Sequence, residues 1–477
     1  MIVTMMGVLA TMSTMTTAAQ AATSPNILVI LIDDLGWKDL SCYGSSYYKT
    51  PNIDRLAAEG VRFSDGYAAC AVCSPTRAAI LTGKYPARLM LTEWLPSGRW
   101  DPQAKLRSGR FLRQLPLEEV TLAEALREGG YRTGIIGKWH LGGEPFSTPA
   151  HHGFDVSIAA NDHGNPGDYF FPYEGKWSIP TTSLKATWRV IEGGKKGEYL
   201  TDRLTDEAVD FIRDRGEKPF FLYLSHYAVH TPLQAKTDMV KPYEAVAKDM
   251  QQGKPVYAAM VESVDQGVGR LMKTLDELGI AKDTLVIFTS DNGGFAGATD
   301  HRPLRGNKGA YYEGGIRVPL IVRWPGVAKA GHVSSVPVTS SDIYPTCLAA
   351  AGLPAHPAQH RDGIDLRPVL AGGDSLERGS LFWHYPHYND HPASVPSSVI
   401  RQGDWKLIET FDPEGIELYN LADDLSETKN LAGEQTAKVD ELRRELEAWR
   451  NNVGAERMEP NPDYEPKAAA TKGKKKN

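Results

Sequence analysis

Residues 26–34 read Asn26-Ile27-Leu28-Val29-Ile30-Leu31-Ile32-Asp33-Asp34. An unbroken apolar run with no alternating polar residue marks a strand buried on both faces, Asn26–Ile32. Such strands belong inside parallel sheets covered by helices. The strand stops at two adjacent carboxylates. At a buried strand end they repel unless a cation joins them, and hard oxygen donors suit Ca²⁺ or Mg²⁺. The plainer alternative for this pair alone is a polar strand end running into a helix cap.

Outward from this strand, apolar runs of the same kind lie at 133–136, 220–224, 285–289 and 318–322, separated by amphipathic segments at 121–128, 204–213 and 257–278. That alternation predicts an α/β fold, a large mostly parallel sheet sandwiched by helices, over about 25–375. Beyond 376 the pattern changes to short strands at 381–385, 398–401, 405–409 and 417–420, joined by Gly, Pro and Asp turns. Val439, Leu442, Leu446 and Trp449 then mark one face of a last helix. This predicts a small C-terminal α+β domain with an antiparallel sheet over 376–465. No internal repeat is present.

Sites in open α/β sheets form beyond the carboxyl ends of the strands. Here several strands run directly into reactive residues. One ends in Ser290-Asp291-Asn292-Gly293-Gly294, whose Asp291 and Asn292 could complete a cation site with Asp33 and Asp34, or form only an Asn-Gly turn. Another runs into Gly137-Lys138-Trp139-His140, a point charge beside a group able to move a proton at neutral pH. A third leads to Ser225-His226-Tyr227-Ala228-Val229-His230-Thr231-Pro232. Separately, Cys73-Ser74-Pro75-Thr76-Arg77-Ala78-Ala79-Ile80-Leu81-Thr82-Gly83-Lys84 reads as a helix start with Ser74 as N-cap. That would put Cys73 at the positive helix end, where anions bind and thiolates are favoured.

The run from Cys73 through Pro75 and Arg77 to Gly83 resembles the sulfatase signature, in which the Cys of Cys-x-Pro-x-Arg is oxidised to formylglycine. Residues 130–140 resemble the second signature of that family. Pro303-Leu304-Arg305-Gly306-Asn307-Lys308-Gly309 resembles its segment holding a sulfate-binding Lys, and 403–408 with 417–421 resembles its C-terminal domain. The resemblance spans about 26–431 in the family's order. It implies a formylglycine nucleophile from Cys73, made by a formylglycine-generating or equivalent maturing enzyme. It also implies Ca²⁺ held by Asp33, Asp34, Asp291, Asn292 and residue 73. Lys138, Lys308 and Arg77 would offset charge on the sulfuryl oxygens, His140 would act as base and His230 as leaving-group acid. Arg317 and His226 are read as structural. A further family contact has no secure match, although Asn161, Asp162 and His163 lie in its region.

For substrate, the aromatic and histidine-rich stretch 382–391 suggests a sugar surface through His384, His387 and His391, as does 94–100. A domain-interface core is the alternative. The expected substrate is a sulfated saccharide of galactose type. An aryl sulfate, a phosphonate or phosphate ester, and non-catalytic glycan binding are the alternatives.

With 477 residues, 41% hydrophobic and 23% charged, the composition is that of an ordinary globular protein, and a net charge of −6 speaks against a nucleic-acid partner. Residues 1–22 are uncharged and end in Ala19-Gln20-Ala21, which predicts a secretory signal peptide and a secreted or periplasmic protein. No later segment reads as transmembrane. Cys42, Cys70, Cys73 and Cys347 make no disulfide framework. Cys70-x-x-Cys73 could be a redox pair or zinc half-site, but no second Cys pair completes a zinc site and a redox role leaves Arg77 and Gly83 unexplained. The lysine-rich end, 466–477, reads as a disordered tail.

Overall fold

The computed structural model describes residues 24–96, 103–178 and 185–465. The expected leader (1–22), the basic tail (466–477) and Trp100 lie outside the described residues. The main sheet contains β1 (Asn26–Ile32), β2 (Val61–Phe63), β3 (Arg132–Gly137), β4 (Val156–Ile158), β5 (Phe220–Ser225), β6 (Thr284–Ser290), β7 (Leu320–Arg323) and β8 (His332–Ser334). Their order across the sheet is β8-β2-β7-β6-β1-β5-β3-β4. Neighbours are parallel except at β7, which runs antiparallel to both β6 and β2. The run expected at 318–322 thus starts two residues later, because the Val318 N–H is drawn aside to the Gly66 carbonyl at 2.9 Å.

β1 is buried along its whole length, and its side chains divide between two cores. Leu28, Ile30 and Ile32 pack toward the helices Leu200–Arg213 and Pro255–Glu277. Ile27, Val29 and Leu31 pack toward Cys73–Thr82, Leu122–Glu128 and Ile343–Ala350. The Leu122–Glu128 helix carries a reciprocal cap, in which Thr121 Oγ1 accepts from Glu124 N at 3.2 Å and Glu124 Oε2 accepts from Thr121 N at 2.8 Å. The Cys73 helix is different from the expectation. Val72 occupies its N-cap position, and Ser74 lies in the first turn with Oγ accepting from Leu95 N at 3.1 Å.

At the carboxyl end of the chain, β9 (Ser380–Tyr385), β10 (Ser397–Gln402), β11 (Trp405–Phe411) and β12 (Glu414–Asn420) form an antiparallel meander. One face carries Ile400, Leu407 and Leu418 against Leu442, Leu446 and Trp449 of the helix Thr436–Val453. The other packs Leu381, Trp383 and Val399 against Tyr67, Cys70 and Tyr311 of the main domain. An ionic network runs through this junction. Lys406 Nζ lies 2.8 Å from carboxylate oxygens of both Glu313 and Glu427. Arg317 bridges Glu313 at 2.7 Å and Asp65 at 3.0 Å, and Arg401 reaches Asp65 at 2.8 Å. Arg317 is taken up by this junction through Glu313 and Asp65.

Candidate active site

Strand register gathers the site. Ile32 pairs with Ser290, Leu31 with Ser225, and Gly137 with Ser225. The residues next in the chain, Asp33, Asp291, Lys138 and His226, therefore emerge together at one edge of the sheet. Gly137 is required for this. Its φ is +98°, and a Cβ there would lie 1.9 Å from the Ser225 carbonyl oxygen. Asp34 and His140 also adopt the left-handed region, at φ +61° and +56°, a strain that non-glycine residues accept mainly at functional sites.

Asp33, Asp34, Asp291 and Asn292 are fully buried and converge. Asp34 N donates to Asp291 Oδ1 at 3.2 Å, and Asn292 Nδ2 donates to Asp34 Oδ1 at 2.8 Å. Three cationic side chains face the three carboxylates. Lys138 Nζ lies 2.7 Å from Asp33 Oδ2, Lys308 Nζ lies 2.7 Å from Asp34 Oδ1, and Arg77 Nη2 lies 2.7 Å from Asp291 Oδ2. Burial and the neighbouring Asp291 push Asp33 up to about 8, although Lys138 opposes them. Burial also opposes ionisation of Asp34, but Lys308 and His230 hold its carboxyl well below the usual range.

Two oxygens in this cluster, Asp33 Oδ1 and Asn292 Oδ1, are buried with no hydrogen-bond partner. An orphaned carboxylate oxygen and an orphaned amide oxygen are costly unless a cation or water meets them. Oxygen ligands of this kind fit Ca²⁺ or Mg²⁺. Oxygens of Asp33 and Asp34 and a ring nitrogen of His230 also fall within 4.8 Å of one another.

Arg77 does not face the cleft. Its Nε and Nη2 donate to Asp291, while Nη1 donates to the Lys138 carbonyl at 3.1 Å and Ser225 Oγ at 2.5 Å. The guanidinium thus ties the ends of β3, β5 and β6 together, and it positions Asp291 rather than meeting a ligand's oxygens. Lys138 is likewise fully buried against Asp33.

Above the cluster, a cavity of about 380 Å³ is lined by Cys73, His140, His230 and Lys308, together with Glu93, Trp94, Asn165, Phe295 and Asn389. Burial pushes the Cys73 thiol up against the pull of Lys138 and Lys308, so it is a neutral thiol rather than the thiolate a helix terminus favours. His140 is buried, and burial followed by Lys138 and Arg77 holds it well below the usual imidazole range. Its Nε2 meets the Leu95 carbonyl, which places the proton there and leaves Nδ1 as an unpartnered lone pair. The Asn161 carbonyl accepts from His140 N at 3.1 Å. His230 Nδ1 contacts the Thr231 carbonyl at 2.8 Å, and its Nε2 lies 3.7 Å from Asp34. Burial and then Lys308 push His230 down to about 3, with Asp34 opposing.

The histidine-rich stretch divides. His391 lines the cavity. His384 and His387 do not. His384 is buried between Ser398 Oγ and the Glu456 carbonyl, each at 2.6 Å, and His387 is buried against Thr92 Oγ1 at 2.8 Å. Both are consumed by packing of the C-terminal sheet, so their assignment to substrate is corrected. Sequence reading passed over Glu93, Asn165 and Phe295, whereas the stretches 382–391 and 94–100 signalled the neighbourhood through Asn389, His391 and Trp94.

Residues 25–353 match a family model described as Sulfatase, and 306–452 match one described as N-sulphoglucosamine sulphohydrolase, C-terminal. A protein named Sulfatase from Formosa agariphila is 35% identical over 92% of this chain and 91% of its own. N-acetylgalactosamine-6-sulfatase of Canis lupus familiaris is 36% identical over 77% of this chain and 70% of its own. Among solved structures, Ps i-CgsB in complex with k-i-k-neocarrahexaose superimposes with a TM-score of 0.75 at 32% identity, covering 90% of this chain and 93% of that one.

Proposed function

This chain belongs to the sulfatase family and is a sulfuric ester hydrolase, and from that premise we propose that it removes sulfate from a sulfated saccharide of galactose type. The observation that carries the reading is one cavity lined by Cys73, His140, His230 and Lys308 directly above a buried carboxylate cluster with orphaned oxygens. A relative named N-acetylgalactosamine-6-sulfatase and a neighbour solved with a neocarrahexaose support a saccharide of this type.

Cys73 held as a neutral thiol is a weak nucleophile. Converted by a maturing enzyme to formylglycine and then hydrated by water, residue 73 would carry two hydroxyls on one carbon. One would attack sulfur as the alcohol leaves, and the other would lose its proton so that the carbon–oxygen bond to sulfate breaks and the aldehyde re-forms. Nδ1 of His140 takes a proton, since Leu95 holds the other nitrogen. His230 delivers a proton from Nε2 to the departing alcohol oxygen. Burial and then Lys308 keep that nitrogen neutral in the free protein, and the negative charge of a bound sulfate ester favours its protonation from solvent. Lys308 reaches the cavity and neutralises sulfuryl oxygen charge. Asp33, Asp34, Asp291 and Asn292 would hold Ca²⁺, which stabilises charge on the transferring group. The cluster's carboxylates are already matched by Arg77, Lys138 and Lys308, so a dication leaves the cavity floor positive and suited to an anion. The uncharged first 22 residues support export to the periplasm or beyond.

Purified protein should release inorganic sulfate from 4-nitrophenyl sulfate and from a sulfated galactose oligosaccharide, and should turn over 4-nitrophenyl phosphate far more slowly. Preferential phosphate release would replace the sulfatase assignment with the phosphate or phosphonate ester reading.

Calcium should also stabilise the fold. At a concentration of about 100 Kd, binding contributes about 2.7 kcal/mol. The expected result is a rise in melting temperature with CaCl₂ that Asp33→Asn and Asn292→Ala both diminish. A titration showing neither heat nor a shift, with Ca²⁺ or with Mg²⁺, would end the cation reading.

A further inference from the structure

Beside the Cys73 cavity lies a second one, of about 730 Å³. The two share Trp94, Gly164 and Asn165, so they are arms of a single cleft. The first arm is at the small end of ligand pockets. The second is larger, and neither Cys73, His140, His230 nor Lys308 lines it.

This second arm is built around an aromatic pair. The rings of His163 and Trp188 stack with centroids 3.7 Å apart and planes 12° from parallel. Trp188 is carried by a two-stranded ribbon, Glu174–Ser178 with Lys185–Arg189, in which it pairs with Gly175. A Cβ on Gly175 would lie 2.2 Å from Trp188 Cε2. The ring therefore lies across bare backbone, and only glycine at 175 permits that placement. His163 is anchored in turn, since its N–H donates to Asn161 Oδ1 at 3.0 Å. Asn161 is the residue whose carbonyl holds His140 N, so the platform and the proton-accepting histidine share one support. Lys176, exposed on the same ribbon, lines this arm.

A flat aromatic surface with polar edges suits a sugar ring, and an exposed ammonium beside it suits an anionic substituent. We propose that the second arm binds the sugar next to the one that carries the scissile sulfate. The preferred substrate is then an acidic chain of at least two residues, with the neighbouring ring against the outer face of His163, which Trp188 backs, and its sulfate or carboxylate facing Lys176. This rests on the sulfated-saccharide reading above.

The test compares three substrates: a sulfated galactan tetrasaccharide, the matching sulfated monosaccharide and 4-nitrophenyl sulfate. The wild type should have the higher kcat/KM on the tetrasaccharide than on the monosaccharide. Trp188→Ala should lose about tenfold in kcat/KM on the tetrasaccharide, mainly through KM. Its 4-nitrophenyl sulfate turnover should be unchanged, which also reports an intact fold. Lys176→Ala, at an exposed position, should lose about threefold on the tetrasaccharide, an effect that fades at high salt. Equal wild-type kcat/KM on the two sugars, or equal losses on tetrasaccharide and aryl sulfate in Trp188→Ala, overturns the second arm while leaving the sulfatase reading intact. Aryl sulfate turnover without action on either sugar overturns the saccharide reading and this proposal together.

Discussion

Cys73→Ala should lower kcat/KM for any sulfate ester by at least about 10⁴-fold, because a nucleophile and its proton-transfer partners act as a unit and losing one disables the rest. The protein should nevertheless fold. Alanine is a good helix former, and the change deletes one sulfur atom at the first turn of Cys73–Thr82. Loss of stability should stay near 1 kcal/mol, the ordinary scale for a single substitution. Cys73→Ser separates chemistry from volume, since it keeps a hydroxyl of similar size yet should be nearly as inactive. Intact mass then identifies the active species, because conversion to formylglycine removes about 18 Da from residue 73. Near wild-type turnover in the alanine variant would discard residue 73 as the reacting group.

Lys406→Met should cost about 3–5 kcal/mol, because it leaves buried carboxylates without their counter-charge. Lys406, Glu313 and Glu427 are all fully buried, and the ammonium lies 2.8 Å from each partner. Burial alone would raise Glu313, but Lys406, Arg317 and Arg401 hold it well below the ordinary carboxylate range. A depressed acid contributes stability above its unfolded pKa, 4.5 for glutamate, and that contribution disappears as pH falls further. The penalty of Lys406→Met should therefore be full at neutral pH and shrink below about 4.5. Adding Glu313→Gln to Lys406→Met should recover part of the loss. Urea unfolding at two pH values measures both, and a Lys406→Met midpoint equal to wild type would refute the network's contribution.

The strands that carry reactive residues were legible because burial on both faces leaves an unbroken apolar run, and β1, β5 and β6 all have one. Asp33 and Asp291 could be paired from sequence because both follow such runs. The reversal at β7 was not legible, since direction depends on the connection and on a backbone hydrogen bond at Val318 rather than on composition. His384 and His387 misled for a related reason. A histidine beside aromatics looks alike in sequence whether its ring faces a cleft or, as here, a hydroxyl and a carbonyl inside a sheet junction. Arg77 was found in sequence, but its partners were not, because they come from three strands far apart in the chain.

The helix Cys73–Thr82 has one further consequence, for the order of events in the protein's biogenesis. Every residue from Cys73 to Thr82 is buried, Arg77 completely so. A second enzyme cannot grip a helical segment that offers no backbone edge and meets the outside only where Cys73 lines the cavity. The conversion proposed for Cys73 must then precede closure of the sheet, so folding and maturation compete in time. Chains that fold first would be locked as thiol forms, stable and inert. Incubating folded, unconverted protein with a maturing enzyme should leave its mass unchanged, whereas the same enzyme should act on a peptide spanning 70–84.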